Sequence, residues 1–241
     1  MKIQNYGIRS VLKNIEQRKM ILPALQREFV WKRKDNEQLF DSLLQGFPIN
    51  SMMFWEGDDI KNGIMEFHEF LDPRYQESVS TNKVYTVIDN EYKTIVIDGQ
   101  QRLTSLWIAI YGSYTQGKNE MYLYLNLDAP NVNNDDSINN TESFYNFKFM
   151  PENKFNACSA KGEHWIRVCD AYAQNFSPLS YIKNNQLLKN EFAVETLEKL
   201  YRLFSDETII NTYEIKDKGL DHVLNIFVRT NSGGKPLTKA N

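Results

Sequence analysis

The 241 residues carry 28 Lys and Arg against 31 Asp and Glu, a formal charge of −3, so no global basic field draws the chain onto nucleic acid. With 41% hydrophobic and 13% aromatic residues it can bury a sizeable core, as one large domain or two modest ones. Two cysteines without C-x-x-C spacing and three scattered histidines argue against structural zinc, and the absence of an apolar leader or any run of about 18 apolar residues sets a cytoplasmic expectation.

Ile8, Val11, Leu12 and Ile15 recur at helical spacing, and the basic pair Arg18-Lys19 suits the end of a short helix. Met20-Ile21-Leu22 then reads as a strand running into Pro23, and Pro23 to Trp31 as an ordered loop in which Phe29 and Trp31 serve as core plugs or ligand stackers. Asp35 can cap the next helix with Gln38 at its third position; Leu39, Phe40, Leu43 and Leu44 form its buried side, and Gly46 and Pro48 stop it. Lys32-Arg33-Lys34 before that cap is either a solvated cluster or lies near a phosphate. Ser51 to Glu56 predicts a strand, residues 57–82 an irregular excursion, and Lys83–Ile88 with Lys93–Ile97 a hairpin around Asp89-Asn90-Glu91.

At the centre, the β-branched run Ile95-Val96-Ile97 stops at Asp98-Gly99, and Leu103, Leu106, Trp107 and Ile110 begin a helical stripe. The junction predicts strand, tight turn, helix, with Asp98 as N-cap and Gln101 three residues on. Two readings stand. One is a plain capping-box variant, and the other a phosphate cradle built from turn N–H groups, Gln100, Gln101 and Arg102. Arg102 lies off the apolar stripe, so its loss is expected to cost little stability.

Beyond this helix, Met121–Leu125 predicts a strand, and the Asn- and Asp-rich tract 128–141 a loop whose acids mark turns or hold a metal. Phe144–Phe149 alternates as a half-buried strand. From Ser177 the pattern turns helical, with Phe192, Leu197, Leu200, Tyr201 and Phe204 on one amphipathic segment, and Thr208–Ile215 returns to strand character. Leu220, Val223, Leu224 and Phe227 begin a last helix, with Gly233 or Gly234 as its C-cap and Arg229 complementing its dipole. These elements predict an α+β (mixed α/β) fold, with a core over 1–150 and a mainly helical subregion over 177–241.

Three motifs carry a family likeness: Pro23 followed by Gln26-Arg27, an aromatic and Trp31; Asp98-Gly99-Gln100-Gln101-Arg102; and Phe227, Arg229, Asn231 and Gly233. Together they resemble the N-terminal domain of GmrSD-type (type IV) restriction enzymes, a family similar to the ParB/sulfiredoxin-like fold. The resemblance implies a domain that binds and hydrolyses a nucleoside triphosphate (GTP, ATP or another) with Mg²⁺, in a longer DNA-restricting, phage-defence protein whose separate C-terminal His-Asn-His nuclease domain cuts DNA. On that likeness Asp98, Gln100 and Arg102 are the catalytic candidates, with Asp98 also the metal candidate. Gln26, Arg27, Gly99, Gln101, Arg229 and Asn231 are the nucleotide-binding candidates. No G-x-x-x-x-G-K-[ST] loop occurs, and His68, His164 and His222 stand in no His-Asn-His order. The rival reading is a nucleotide sensor or DNA-backbone clamp without turnover, and the chain, ending just after the Leu237-Thr238 cap, is expected to be a fragment of a longer protein.

Overall fold

Period-two apolar runs and helical stripes sort this chain into two sheets with helices between them. The structure is a computed structural model and describes residues 2–24, 28–56, 66–76, 84–85, 93–116, 119–130, 143–216, 219, 221–223, 225–226 and 229. In chain order the first half gives β1 (Lys2–Tyr6), α1 (Ile8–Glu16), β2 (Met20–Pro23), α2 (Arg33–Leu44), β3 (Met52–Glu56), β4 (Phe67–His68), β5 (Arg74–Gln76), β6 (Val84–Tyr85), β7 (Thr94–Asp98) and α3 (Gln100–Tyr111). The second gives β8 (Ser113–Gln116), β9 (Asn119–Asn126), β10 (Phe147–Pro151), α4 (Glu152–Ala160), β11 (Trp165–Arg167), α5 (Val168–Tyr172), α6 (Pro178–Asn184), α7 (Glu191–Ser205) and β12 (Ile210–Lys216). This is a mixed α+β architecture, as the sequence predicts.

Among the described residues the first sheet runs β1-β12-β3-β7-β2-β4-β6, with β12–β3 and β2–β7 parallel and the other pairs antiparallel. The second runs β10-β9-β8-β5, with β11 also pairing β9. The hairpin expected between the strands at 84 and 94 does not form: β6 pairs β4, while β7 lies between β3 and β2. The reason is burial. Residues 20–23 of β2 are buried throughout and belong beside β7 in the sheet interior, whereas Val84 is 58% exposed and suits an edge. The turn proposed at Asp89–Glu91 lies outside the described residues.

One apolar cluster runs from a face of the first sheet (Met20, Leu22, Met52, Phe54, Val96) through α1, α2 and α3 to the second sheet (Leu123, Leu125, Phe147, Phe149). It also takes in Ala193, Leu197, Leu200 and Phe204 of α7, so the C-terminal helices share the core of the N-terminal half. Tyr201, expected on that stripe, is 40% exposed, and Leu203 takes its place. The other face of the first sheet carries Ile21, Met53, Trp55, Ile95, Ile97 and Ile215, which pack with Val223. The expected stripe of α3 is buried, but so is every residue from Leu103 to Ile110, including Thr104 and Ser105. A helix enclosed on all sides is a central one, and α3 touches α1, α2, α5 and the second sheet. It ends where Gly112 meets the Pro73 carbonyl, which a Cβ there would approach to 1.9 Å.

The open edge of β10 is closed by side chains rather than by a strand. Glu37 and Asp41, one turn apart on α2, accept the backbone N–H groups of Phe149 in the strand (2.8 Å) and of Tyr145 just before it (2.7 Å). Burial pushes both carboxyl pKa values up from their ordinary range; the N–H donors, and for Glu37 the nearby Arg33, Lys148 and Lys34, oppose it only in part. A raised acid pKa means that the folded state binds the proton more tightly, so native stability falls as pH rises through that pKa. Glu37→Gln keeps an oxygen acceptor and removes the desolvated charge. Urea unfolding should show a higher midpoint for Glu37→Gln than for the parent at pH 7.5, with the difference closing below about pH 4; a lower midpoint at pH 7.5 would show that the charge itself stabilises the edge.

Candidate functional site

The turn after β7 is prepared by an irregularity in its pairing with β3. Phe54 pairs with Val96 but Met53 pairs with Asp98, so Ile97 is the extra residue of a β-bulge. A bulge re-aims the side chains next to it, and here that side chain is the Asp98 carboxylate, 47% exposed. Gly99 follows in the left-handed region (φ 105°, ψ 3°) and is the N-cap of α3. The N-cap expected at Asp98 is thus displaced by one residue, and no side chain caps the helix. Only glycine suits this position. A Cβ would meet Met52 at 2.7 Å from Cγ and 2.8 Å from Sδ, and the positive φ would strain it as well.

Released from capping, Asp98 accepts from Nη2 of Arg102, four residues on, at 3.0 Å. The Arg102 side chain is 14% exposed. Its Nη1 donates to the carbonyls of Ile49 (2.5 Å), Asn50 (2.9 Å) and Ser51 (3.3 Å), and Nη2 also reaches the Ser51 carbonyl. Asn50 sits at φ 61°, a left-handed turn within the run of carbonyls that converges on the cation. The expectation that Arg102 contributes little to stability is therefore corrected: an arginine off the apolar stripe of its helix still fastens that helix to the loop entering β3.

Gln101 does parallel work on the other side. Its Oε1 accepts from the Val30 N–H (2.9 Å) and its Nε2 donates to the Glu28 carbonyl (3.0 Å), gripping the backbone around Phe29, which is 2% exposed. Phe29 is a core plug, as one of the two sequence readings has it. Gln100 is 6% exposed, at the first position of α3.

Between these anchors lies a cavity of about 810 Å³. Asp98 and Arg102 form one end of it, Asp35, Gln38, Leu39 and Ser42 of α2 one wall, and Trp31 with the Phe47–Asn50 loop the rest. Asp35, expected as an N-cap, is instead the third residue of α2, its carboxylate accepting from the Lys32 N–H at 2.7 Å. That geometry turns a helix-start acid toward the cavity, a contributor to this site that sequence reasoning treated as structural only. Gln100 and Gln101 are not part of the wall. Arg229 is exposed, on the stretch whose Val223 packs on the opposite face of the first sheet. Gln26, Arg27 and Asn231 lie outside the described residues. Among the described residues no three His, Cys, Asp or Glu side chains group as metal ligands, and no helix is long and apolar enough to cross a membrane.

Residues 8–241 match the model of the GmrSD restriction endonuclease, N-terminal domain. The chain belongs to this family. It is also 31% identical over 131 residues to an uncharacterized protein of Methanocaldococcus jannaschii, a match covering 54% of this chain and 21% of the relative. The chain thus spans about a fifth of the length of that curated relative. In this GmrSD N-terminal domain, two of the five residues Asp98 to Arg102 open on the cavity and a third, Gly99, allows the turn between them.

Truncating Arg102 would leave three loop carbonyls without their donor and Asp98 without its cation. Arg102→Ala is expected to lower the unfolding free energy by about 2–4 kcal/mol in urea titration, because charged hydrogen bonds are each worth about 1.5–3 kcal/mol and a part-buried acceptor is left behind. Melting indistinguishable from the parent would remove the structural role assigned to this guanidinium.

Proposed function

We propose that the cavity beside Asp98 binds a nucleoside triphosphate with Mg²⁺ and that the domain hydrolyses it, as the regulatory part of a longer DNA-restricting, phage-defence protein with a separate nuclease domain. The reading rests most on one observation, that Asp98 and Arg102 of the Asp-Gly-Gln-Gln-Arg turn both open on a cavity whose 810 Å³ falls within the roughly 300–1,000 Å³ of small-molecule sites. Membership of a restriction-endonuclease family supports the DNA-directed role of the parent protein, and a ParB/sulfiredoxin-like core is the fold likeness that goes with it.

The charges of the wall decide what else the ligand needs. Its described charged residues are Asp35, Asp98 and Arg102, two acids against one base, and the base is already engaged with Asp98. A polyphosphate alone would be repelled. The half-exposed Asp98 carboxylate and Asp35, each with one oxygen on a protein donor, are donors of the kind that hold Mg²⁺ together with substrate phosphates. Bound there, the ion would neutralise phosphate charge. The chain's own part is positional. Gly99 allows the turn, and the first-turn N–H groups of α3, next to Asp98, favour an anion. Arg102, fixed by three carbonyls, keeps Asp98 aimed, so that its other oxygen would hold either the ion or a water at the terminal phosphate. Gln26, Arg27 and Asn231 are proposed as further phosphate contacts, and Arg229, on the stretch that packs on the opposite face of the first sheet, is not among them.

The rival sensor reading keeps the cavity and drops turnover. With GTP or ATP and Mg²⁺ in excess, the melting temperature of the 241-residue chain should rise, by mass action about 2.7 kcal/mol of stabilisation at a hundred times Kd, and inorganic phosphate should be released. Stabilisation without phosphate release would favour the sensor, and no stabilisation by any nucleoside triphosphate would contradict both readings.

A further inference from the structure

We infer that Trp31 and Phe47 are the base-stacking wall of this cavity, so that a nucleotide lies with its phosphates toward Asp98 and its base against the two aromatic rings. The inference rests on the nucleotide reading above and adds the orientation and the selectivity of the ligand.

Phe47 carries it. Among the described residues most large apolar side chains are buried, yet Phe47 is 56% exposed on the short loop between α2 and β3. That loop is not slack. Gly46 at φ 77° and Asn50 at φ 61° bracket it, and the carbonyls of Ile49, Asn50 and Ser51 are held by Arg102. A defined backbone thus presents an uncovered ring at a cavity rim. Trp31 lines the same cavity half-buried, packed on the core behind it, with its carbonyl held by the Tyr114 hydroxyl at 2.8 Å. Two π-faces and an acidic end divide the site by chemistry. Planar heteroaromatic rings stack on aromatic side chains whatever their edge groups, whereas phosphates gather where an anion-favouring helix start and cation-binding carboxylates lie. The four bases should accordingly all be accepted, with purines, the larger stacking partners, ahead of pyrimidines.

The chain has four tryptophans, and Trp55, Trp107 and Trp165 are at most 8% exposed, so quenching by an added nucleotide reports mainly on Trp31. The test titrates GTP, and separately inorganic triphosphate, each with Mg²⁺, into the parent, Phe47→Ala, Phe47→Tyr and Trp31→Leu, following fluorescence and, for Trp31→Leu, calorimetry. Phe47→Ala should weaken GTP about five- to hundredfold and leave inorganic triphosphate unchanged, with Phe47→Tyr restoring the affinity. Because Phe47 is largely exposed, its loss should leave the melting temperature near that of the parent, and Trp31→Leu should weaken GTP as Phe47→Ala does. If the parent binds GTP and neither Phe47→Ala nor Trp31→Leu weakens it, the stacking wall is wrong and the nucleotide site stands. If the parent binds neither GTP nor triphosphate, the nucleotide reading fails and the stacking wall with it.

Discussion

An arginine side chain that is only 14% exposed must find partners for its charge inside the protein. Arg102 finds them in three consecutive carbonyls of the loop before β3 and in the carboxylate at the end of β7. Those contacts join the end of one strand, the start of the next helix and the entry to the neighbouring strand at one point. The cavity, the exposed Phe47 ring and the orientation of Asp98 all depend on this knot. Removing the cation would uncouple the loop from the turn and leave three carbonyls and the Asp98 carboxylate without their shared donor.

The turn itself is over-determined. The bulge at Ile97 sets the register of Asp98, the left-handed Gly99 fits against Met52 with no space for a Cβ, and Gln101 grips the backbone on either side of Phe29. Backbone irregularity and side-chain latches converge here to hold the turn on a rigid strand–helix frame. The arrangement also divides labour within the motif. Gln101 and Gly99 build, Arg102 both builds and faces the cavity, and Asp98 offers a half-exposed carboxylate to whatever the cavity holds.

Much of this was legible from residue order. The stripes of α1, α2 and α3, the strands at 52–56, 119–126 and 210–216, and the strand-turn-helix at Asp98 follow from period and breaker residues. What was not legible depends on long-range partners. Asp98 satisfies a local capping pattern, and only Arg102, anchored on the distant carbonyls at 49–51, draws it away, whereas Asp35 acts one turn in, as the third residue of a capping box whose N-cap is Lys32. The apparent hairpin of residues 83–97 failed because β2, 74 residues earlier in sequence, pairs beside β7. The helix α4 has no buried residue and therefore no apolar stripe to announce it; its Phe155 merely stacks on Tyr124 at 4.7 Å. The cavity was invisible for the same reason, since its walls come from α2, a loop and a turn about 50–60 residues apart.

The most direct test of the account is amide hydrogen exchange of the 241-residue chain with and without GTP and Mg²⁺, because exchange reports where a ligand holds the backbone rather than whether it binds. Protection should rise in two separate stretches together, the turn at Gly99–Arg102 and the loop at Phe47–Ser51, with the edge strands β1 and β6 unchanged. Protection confined to other segments, with these two unmoved, would contradict the assignment of the nucleotide to this cavity.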